Sequence, residues 1–229
     1  AQWAKGFLAP NLNLFYVTHP EISDASLQPE KTTNWQLGTT WTNDRVTLSG
    51  DVYKIDFNNF IQSEKIGANT VYYNGGGVHY SGVELEGTYM VGGGFSIYAN
   101  GSLNRAIQTE SNTWNPNTPH KTAAAGLIYS NGSVYASLID KFVGNTYYTA
   151  NTNDDTRIGG YAVTNFTASY KFDPHMTDVK DFKIGFQLNN LFNNTHIDAL
   201  AGTTVADSTP LFWTIPARNF NFTVSADLF

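Results

Sequence analysis

Near its end the chain reads Asn219-Phe220-Asn221-Phe222-Thr223-Val224-Ser225-Ala226-Asp227-Leu228. Side chains alternate across a strand, so Phe220, Phe222, Val224, Ala226 and Leu228 share one face and Asn219, Asn221, Thr223, Ser225 and Asp227 the other. The same split recurs upstream. Trp35, Leu37, Thr39 and Trp41 oppose Asn34, Gln36, Gly38 and Thr40, and Val83, Leu85, Gly87, Tyr89 and Val91 oppose Glu84, Glu86, Thr88 and Met90. Phe95, Ile97, Ala99 and Leu103 oppose Ser96, Tyr98, Asn100 and Ser102; Ile184, Phe186 and Leu188 oppose Lys183, Gln187 and Asn189. Helical periodicity is nearly absent, so the chain reads as all-β. The alternation weakens at 134 to 143, where both registers carry a charge, and after Val52, where Ile55 and Phe57 change face; a bulge or a membrane rim accounts for either.

Composition narrows what such strands face. Among 229 residues, aromatic and charged side chains each make up 14%, whereas a soluble domain is about a quarter charged. Cysteine is absent and the formal charge is −6. Disulfides, thiolate zinc sites and cysteine nucleophiles are therefore excluded, and no clustered Lys and Arg mark a nucleic-acid partner. No run of about 18 apolar residues forms a transmembrane helix, so a membrane is met through strands.

Strands are expected at 1 to 5, 31 to 43, 45 to 60, 71 to 91, 95 to 106, 121 to 130, 133 to 145, 160 to 172, 182 to 192 and 217 to 229. Their links alternate. Tight ones at Asn43-Asp44-Arg45, Gly92-Gly93-Gly94 and Asn131-Gly132 separate long ones at 6 to 30, 61 to 70, 107 to 120 and 146 to 159, followed by an intermediate link at 173 to 181 and a long one at 193 to 216. In an antiparallel up-and-down meander this alternation sends all long loops to one rim, the signature of a transmembrane β-barrel of the bacterial outer membrane. A soluble β-sandwich or propeller, its apolar faces packed on a second sheet, is the competing fold.

Gly6-Phe7-Leu8-Ala9-Pro10, Leu27-Gln28-Pro29-Glu30 leading to Gly38, Gly82-Val83-Glu84, Asn190-Leu191-Phe192-Asn193, Pro216-Ala217-Arg218 and the terminal Phe229 occur in that order. Together they resemble the C-terminal half of the barrel of TonB-dependent outer-membrane receptors. Ala217, Gln36 and His196 depart from that pattern, which usually has Gly, Glu and Tyr. The resemblance implies that residues 1–229 are about ten C-terminal strands of a barrel of about 22 strands whose lumen is plugged by a separate N-terminal domain, with plug and earlier strands outside this chain. Alternatively, Ala1-Gln2 is a mature N-terminus and ten strands close alone.

Candidate chemistry is sparse. His19, His79, His120, His175 and His196 show no metal-ligand spacing, although His19, His120 and His196 fall in the long-loop set. Glu84 and Glu86, about 7 Å apart along one strand, read as lumen carboxylates that pair with cations on neighbouring strands or a plug, in preference to a glycosidase pair. Asp154-Asp155 beside Asn151 and Asn153 lacks the spacing of a calcium loop. Gly75-Gly76-Gly77 and Gly92-Gly93-Gly94 lack the Lys-Ser/Thr of a phosphate loop and read as a bulge and a turn. The long loops carry aromatics, Phe15, Tyr16, Trp114, Tyr147, Tyr148, Phe212 and Trp213. Of these Trp114, Tyr147, Tyr148, Phe212 and Trp213 form the candidate ligand-binding set, since ring faces at a mouth stack on planar or amphipathic ligands; packing of the loops on one another is the competing role.

The resemblance implies a non-enzymatic import receptor without cofactor. Its expected partners are membrane lipid and lipopolysaccharide, TonB acting through the absent plug, and a small-molecule metal chelate such as a ferric siderophore; nucleic acid is not among them. A passive outer-membrane channel and a soluble carbohydrate-binding β-sandwich are the alternatives.

Overall fold

The computed structural model describes residues 1–11, 27–67, 69–150, 152–173, 179–204 and 209–228. Phe15, Tyr16, His19, Asn151, His175 and Phe229 lie outside them. Ten strands form one antiparallel sheet in the order β1 (Gln2–Leu8), β2 (Glu30–Thr42), β3 (Val46–Asn58), β6 (Gly77–Gly92), β7 (Phe95–Gln108), β8 (Lys121–Ser130), β9 (Val134–Val143), β12 (Tyr161–Phe172), β13 (Val179–Asn189) and β16 (Asn219–Leu228). Three two-stranded hairpins stand in the long loops: β4 (Ile61–Ile66) with β5 (Asn69–Asn74), β10 (Thr146–Tyr147) with β11 (Arg157–Ile158), and β14 (Ile197–Thr203) with β15 (Pro210–Thr214). The ten-stranded sheet is open, with β1 and β16 at its edges.

Cross-strand register fixes the faces. Tyr89 pairs with Ile97, Ile97 with Leu127, Leu127 with Leu138, Leu138 with Phe166, Phe166 with Leu188 and Leu188 with Phe220. That continuous apolar rung is uncovered. Phe220, Phe222 and Val224 are 66–68% exposed and Leu85 64%, and no second sheet covers this face among the described residues. The sandwich reading fails on that observation. The small buried apolar set, Leu27, Val71, Val78, Ala106, Ile158 and Ile215, gathers at the long-loop end. An aromatic pair marks either end of the band, Trp3 with Trp35 (ring centroids 5.8 Å apart) above and Phe95 with Tyr129 (4.8 Å) below.

Two of the three tight turns share a device. Asn43 Oδ1 accepts from the amides of Arg45 and Val46, and Asn131 Oδ1 from that of Val134, the self-bonded turn an Asn side chain favours.

The family words also acquire physical roles. Asn74 clasps Gln28, with Gln28 N donating to Asn74 Oδ1 (2.5 Å) and Asn74 Nδ2 donating to Gln28 O (2.9 Å), while Glu30 Oε1 accepts from Ile61 N (2.9 Å). The Leu27-to-Glu30 word thus anchors the β4–β5 hairpin. Gly82 lies under Tyr53, whose hydroxyl crosses it to donate to Asn104 Oδ1 at 2.8 Å; a Cβ on Gly82 would stand 2.6 Å from that oxygen. Asn190, only 3% exposed and at φ +54°, donates through Nδ2 to Asn194 O and Pro216 O and accepts from Asn194 N. Arg218 N donates to Asn193 Oδ1 at 2.9 Å. The Asn-Leu-Phe-Asn and Pro-Ala-Arg words are two halves of one clasp.

Four expectations need correction. The first strand runs to Leu8: Lys5, between the outward Trp3 and Phe7, interrupts the apolar pattern, while the backbone pairs with β2 throughout. The strand expected at 71 to 91 is two strands, β5 and β6, separated at Gly75-Gly76, where Gly76 takes φ +55° and turns the chain; this Gly run is a connection, and no bulge. Asn190 to Phe192 lie beyond the end of β13, in the clasp. Finally, neither weak stretch is bulged. β3 pairs without a shift on both sides, and so does β9. Ile55 and Phe57 point inward because Lys54, Asp56 and Asn58 point outward above the apolar band, and Asp140 turns outward to accept from Thr164 Oγ1 at 2.6 Å.

Candidate functional site

Three long loops meet at one end of the sheet. In the link from β7 to β8, Asn112 and Asn117 adopt φ +53° and +55°, a left-handed geometry that Asn tolerates better than most residues. The chain thereby folds back, pairing Trp114 with Ile107 and letting Asn115 N reach Ala106 O at 2.9 Å. The indole of Trp114 donates to Thr118 O (2.7 Å), which also accepts from Thr146 Oγ1 (3.0 Å). Asn117 N donates to Tyr147 O at 2.8 Å, and Asn117 Oδ1 accepts from Leu200 N at 3.5 Å. Loops from three strand pairs are joined through a handful of asparagine and threonine groups.

His120 is the hub. Its ring stacks on Trp114 at 3.7 Å and 14°, and Tyr147 stands edge-on at 6.1 Å. His120 Nε2 is buried with no hydrogen-bond partner among the described residues. Desolvation, and secondarily the Arg157 guanidinium, push the imidazole below its ordinary value, so His120 is neutral at pH 7. A second aromatic group joins Tyr148 to Phe212, centroids 5.2 Å apart and nearly perpendicular, with the Tyr148 hydroxyl donating to Asp155 O at 3.3 Å. His196 lies against Tyr161 at 5.1 Å, and Tyr161 donates to Asp198 Oδ1 at 2.7 Å.

Of the five expected ligand-binding residues, the fold brings Trp114 close to Tyr147 through His120, and Tyr148 to Phe212. Trp213 stands apart, 66% exposed on β15, its ring in no aromatic contact among the described residues. His120 and His196 each have a separate aromatic partner, and the described residues contain no group of three metal-ligating side chains. Asp154 and Asp155 occupy a short 3-10 turn capped by Asn153, whose Oδ1 accepts from Thr156 N at 3.1 Å.

Lower on the inward face, Asp51, Glu84 and Glu86 line a polar recess of about 270 Å³. Gln36 Nε2 donates to Asp51 Oδ1 (3.1 Å) and the Tyr98 hydroxyl to Glu86 Oε2 (3.1 Å). The expected cation partners on neighbouring strands are missing: neither glutamate makes an ion pair among the described residues. Sequence reasoning also missed the hub role of His120. Its one signal is that it lies six residues after Trp114 in an Asn- and Pro-rich loop.

Residues 1–191 match a family model described as TonB dependent receptor-like, beta-barrel. Among solved structures, the chain is similar to the copper transporter OprC (TM-score 0.73, 18% identity, 99% of this chain and 37% of that one). It is similar to a mutant of the ferric enterobactin receptor PfeA from Pseudomonas aeruginosa (TM-score 0.76, 16% identity, 99% and 37%). It is similar also to the unliganded ferric citrate transporter FecA (TM-score 0.66, 20% identity, 88% and 32%). At these identities the likeness is one of fold, and the chain spans about a third of each relative's length.

Proposed function

This chain belongs to the TonB-dependent receptor β-barrel family, and on that premise we propose that it is the C-terminal barrel segment of an outer-membrane import receptor in a Gram-negative cell. The long loops capture a scarce solute outside, a ferric siderophore or similar metal chelate. A plug domain coupled to TonB then passes it inward. The segment is a transporter part and carries out no chemistry on its cargo; hydrocarbon covers the outward face and lipopolysaccharide meets its upper edge.

The observation that carries this reading is the convergence of three long loops, bearing the Trp114-His120-Tyr147 and Tyr148-Phe212 ring groups, at a single end of an uncovered, outward-apolar sheet. Such rings bind flat or amphipathic solutes through their faces. Three similar structures are of proteins named for copper, ferric enterobactin and ferric citrate, which supports a metal complex as cargo. The experiment uses cells carrying the full-length receptor and a panel of radio-iron chelates. A protonophore is expected to abolish uptake of the accepted chelate while surface binding at low temperature persists. Uptake unaffected by the protonophore would replace active import with a passive channel.

A further inference from the structure

At the long-loop end, the β4–β5 hairpin and the link from β7 to β8 enclose a recess of about 490 Å³, a volume in the range of small-molecule sites. It opens on the inward side, because Val78 and Gln108, which line it, share the inward rung of Phe57. No ring of the Trp114 or Tyr148 groups lines it. Its walls are fixed from both sides. Asn59, at φ +60°, carries the chain off the end of β3, and Gly75 N donates to Phe60 O at 2.8 Å, closing the base of the hairpin. Gln62 ties that hairpin together, its Nε2 donating to Gly75 O (3.1 Å) and its Oε1 accepting from the Tyr73 hydroxyl (3.2 Å). On the facing wall Thr109 N donates to Gly77 O at 3.0 Å.

The recess combines one ring with polar groups of both kinds. Phe60 leans on Phe57, ring centroids 4.6 Å apart, and stays 38% exposed. A Cβ on Gly76 would stand 2.8 Å from Glu110 Cδ, so the bare Gly75-Gly76 connection leaves the space into which that carboxylate folds. Gln108 Oε1 accepts from Ser111 Oγ at 3.0 Å, and Asn115 Nδ2 donates to the hydroxyls of Tyr80 (3.3 Å) and Thr118 (3.0 Å). Their other ends, Gln108 Nε2 and Asn115 Oδ1, make no hydrogen bond among the described residues, and neither do the Glu110 carboxylate and the Ser63 hydroxyl. Glu110 has no ion pair there either, and no Lys or Arg lines the recess among the described residues.

Those unpaired groups select the ligand class. An ammonium offers donors alone, and an ionised carboxylate or phosphate offers acceptors alone and is repelled by Glu110. A trans amide aims its N–H and C=O in opposite directions. Neighbouring hydroxyls on a sugar ring present donors and acceptors side by side, and the C–H face of the ring covers an aromatic side chain. We propose that this recess is a binding site for a neutral saccharide, its ring face on Phe60 and its hydroxyls donating to Glu110 and Asn115 and accepting from Gln108 and Ser63. The site lies apart from the ring groups assigned to a metal complex, so one mouth receives two chemistries. Its access from outside the cell rests on the orientation proposed above; the binding itself does not.

The test purifies the full-length receptor in a detergent without a sugar headgroup and measures binding by saturation-transfer NMR. The probes are maltotriose, cellotriose and chitotriose, with choline and trialanine as the cation and amide arms. At least one trisaccharide is expected to bind. Its affinity should fall about fivefold or more in Phe60→Ala and in Glu110→Ala, while Phe60→Tyr and Glu110→Gln keep most of it. Heat-modifiable mobility shows that each variant is a folded barrel. A folded wild type that binds none of the three would overturn the site, as would trisaccharide binding unchanged in folded Phe60→Ala and Glu110→Ala. Binding of choline or trialanine in place of the saccharides would overturn the ligand class. A fluorescent form of the bound trisaccharide should label intact cells; saccharide binding by the purified receptor with no such labelling would uphold the site and overturn the orientation, a distinct failure.

Discussion

Arginine at Phe222 measures the lipid-facing assignment directly. Phe222 pairs with Phe186, Phe186 with Ala168 and Ala168 with Ala136, and Ala168 lies four residues above the strand end at Phe172. Four residues at ordinary rise and tilt amount to ~10 Å, close to the middle of an apolar band ~25 Å tall. Val224 shares a rung with Ile184 and Tyr170, two residues above the same end, or ~5 Å. Arginine at the midplane costs about 2 to 4 kcal/mol and near an interface about 0 to 1. Phe222→Arg is therefore expected to destabilise the full-length receptor by about 2 to 4 kcal/mol, Val224→Arg by about 1, and Thr223→Arg, which points inward opposite Gly185, by less than either. Reversible denaturant unfolding in phospholipid bilayers, followed through tryptophan emission, gives the three values. Equal costs at Phe222 and Thr223 would refute the face assignment, and a larger cost at Val224 than at Phe222 would refute the depth.

Three further outcomes follow from the loops. Trp213→Ala should weaken solute binding by about 1 kcal/mol or more, measured by equilibrium binding to whole cells, because this ring is exposed and stacks on no other described ring; unchanged affinity would return it to a packing role. The pKa of His120 is lowered in the folded cluster below the ordinary 6.5, so its contribution to stability is complete above 6.5 and is lost as pH falls through the folded value. A histidine NMR titration, assigned with His120→Gln, should show a midpoint below 6.5, and a midpoint at or above it would contradict the desolvated stack. Asn190→Ala removes three side-chain hydrogen bonds from a buried clasp and should cost about 2 kcal/mol or more; a neutral effect on unfolding would show that the clasp is dispensable.

The outward face was legible because lipid imposes a strict rule: the rung from Tyr89 through Leu138 to Phe220 is apolar at every position, and period 2 survives in the strands that make it except at the outward Asp140 of β9. Loop lengths gave the two ends of the sheet for the same reason, since a turn as tight as Asn131-Gly132-Ser133 leaves no room for anything but a hairpin. The rule lapses above the membrane. There Lys54 and Asp56 face outward and Ile55 and Phe57 inward, an inversion that looks like an irregularity until the height of the band is known. Gly75-Gly76 reads as a bulge in the sequence because Val71, Tyr73 and Val78 to Val83 continue a strand-like pattern on both sides of it. Trp114, Tyr147 and Tyr148 were found by their type. Their grouping was not, since it depends on contacts between loops 26 or more residues apart, and on the left-handed turns at Asn112 and Asn117 that bring His120 beneath Trp114.

Orientation across the membrane is the claim on which the rest depends, and since these 229 residues hold no cysteine, it is directly measurable in a receptor whose remaining cysteines, where it has any, are replaced by serine. Single cysteines replace Asp155, in the long loop between β9 and β12, and Ser133, in the tight turn between β8 and β9. Intact cells carrying the full-length receptor are exposed to a membrane-impermeant maleimide. Asp155→Cys should label at once and Ser133→Cys only after the outer membrane is permeabilised. Labelling of Ser133→Cys in intact cells with protection of Asp155→Cys would invert the barrel, and equal labelling of both would remove the chain from the membrane.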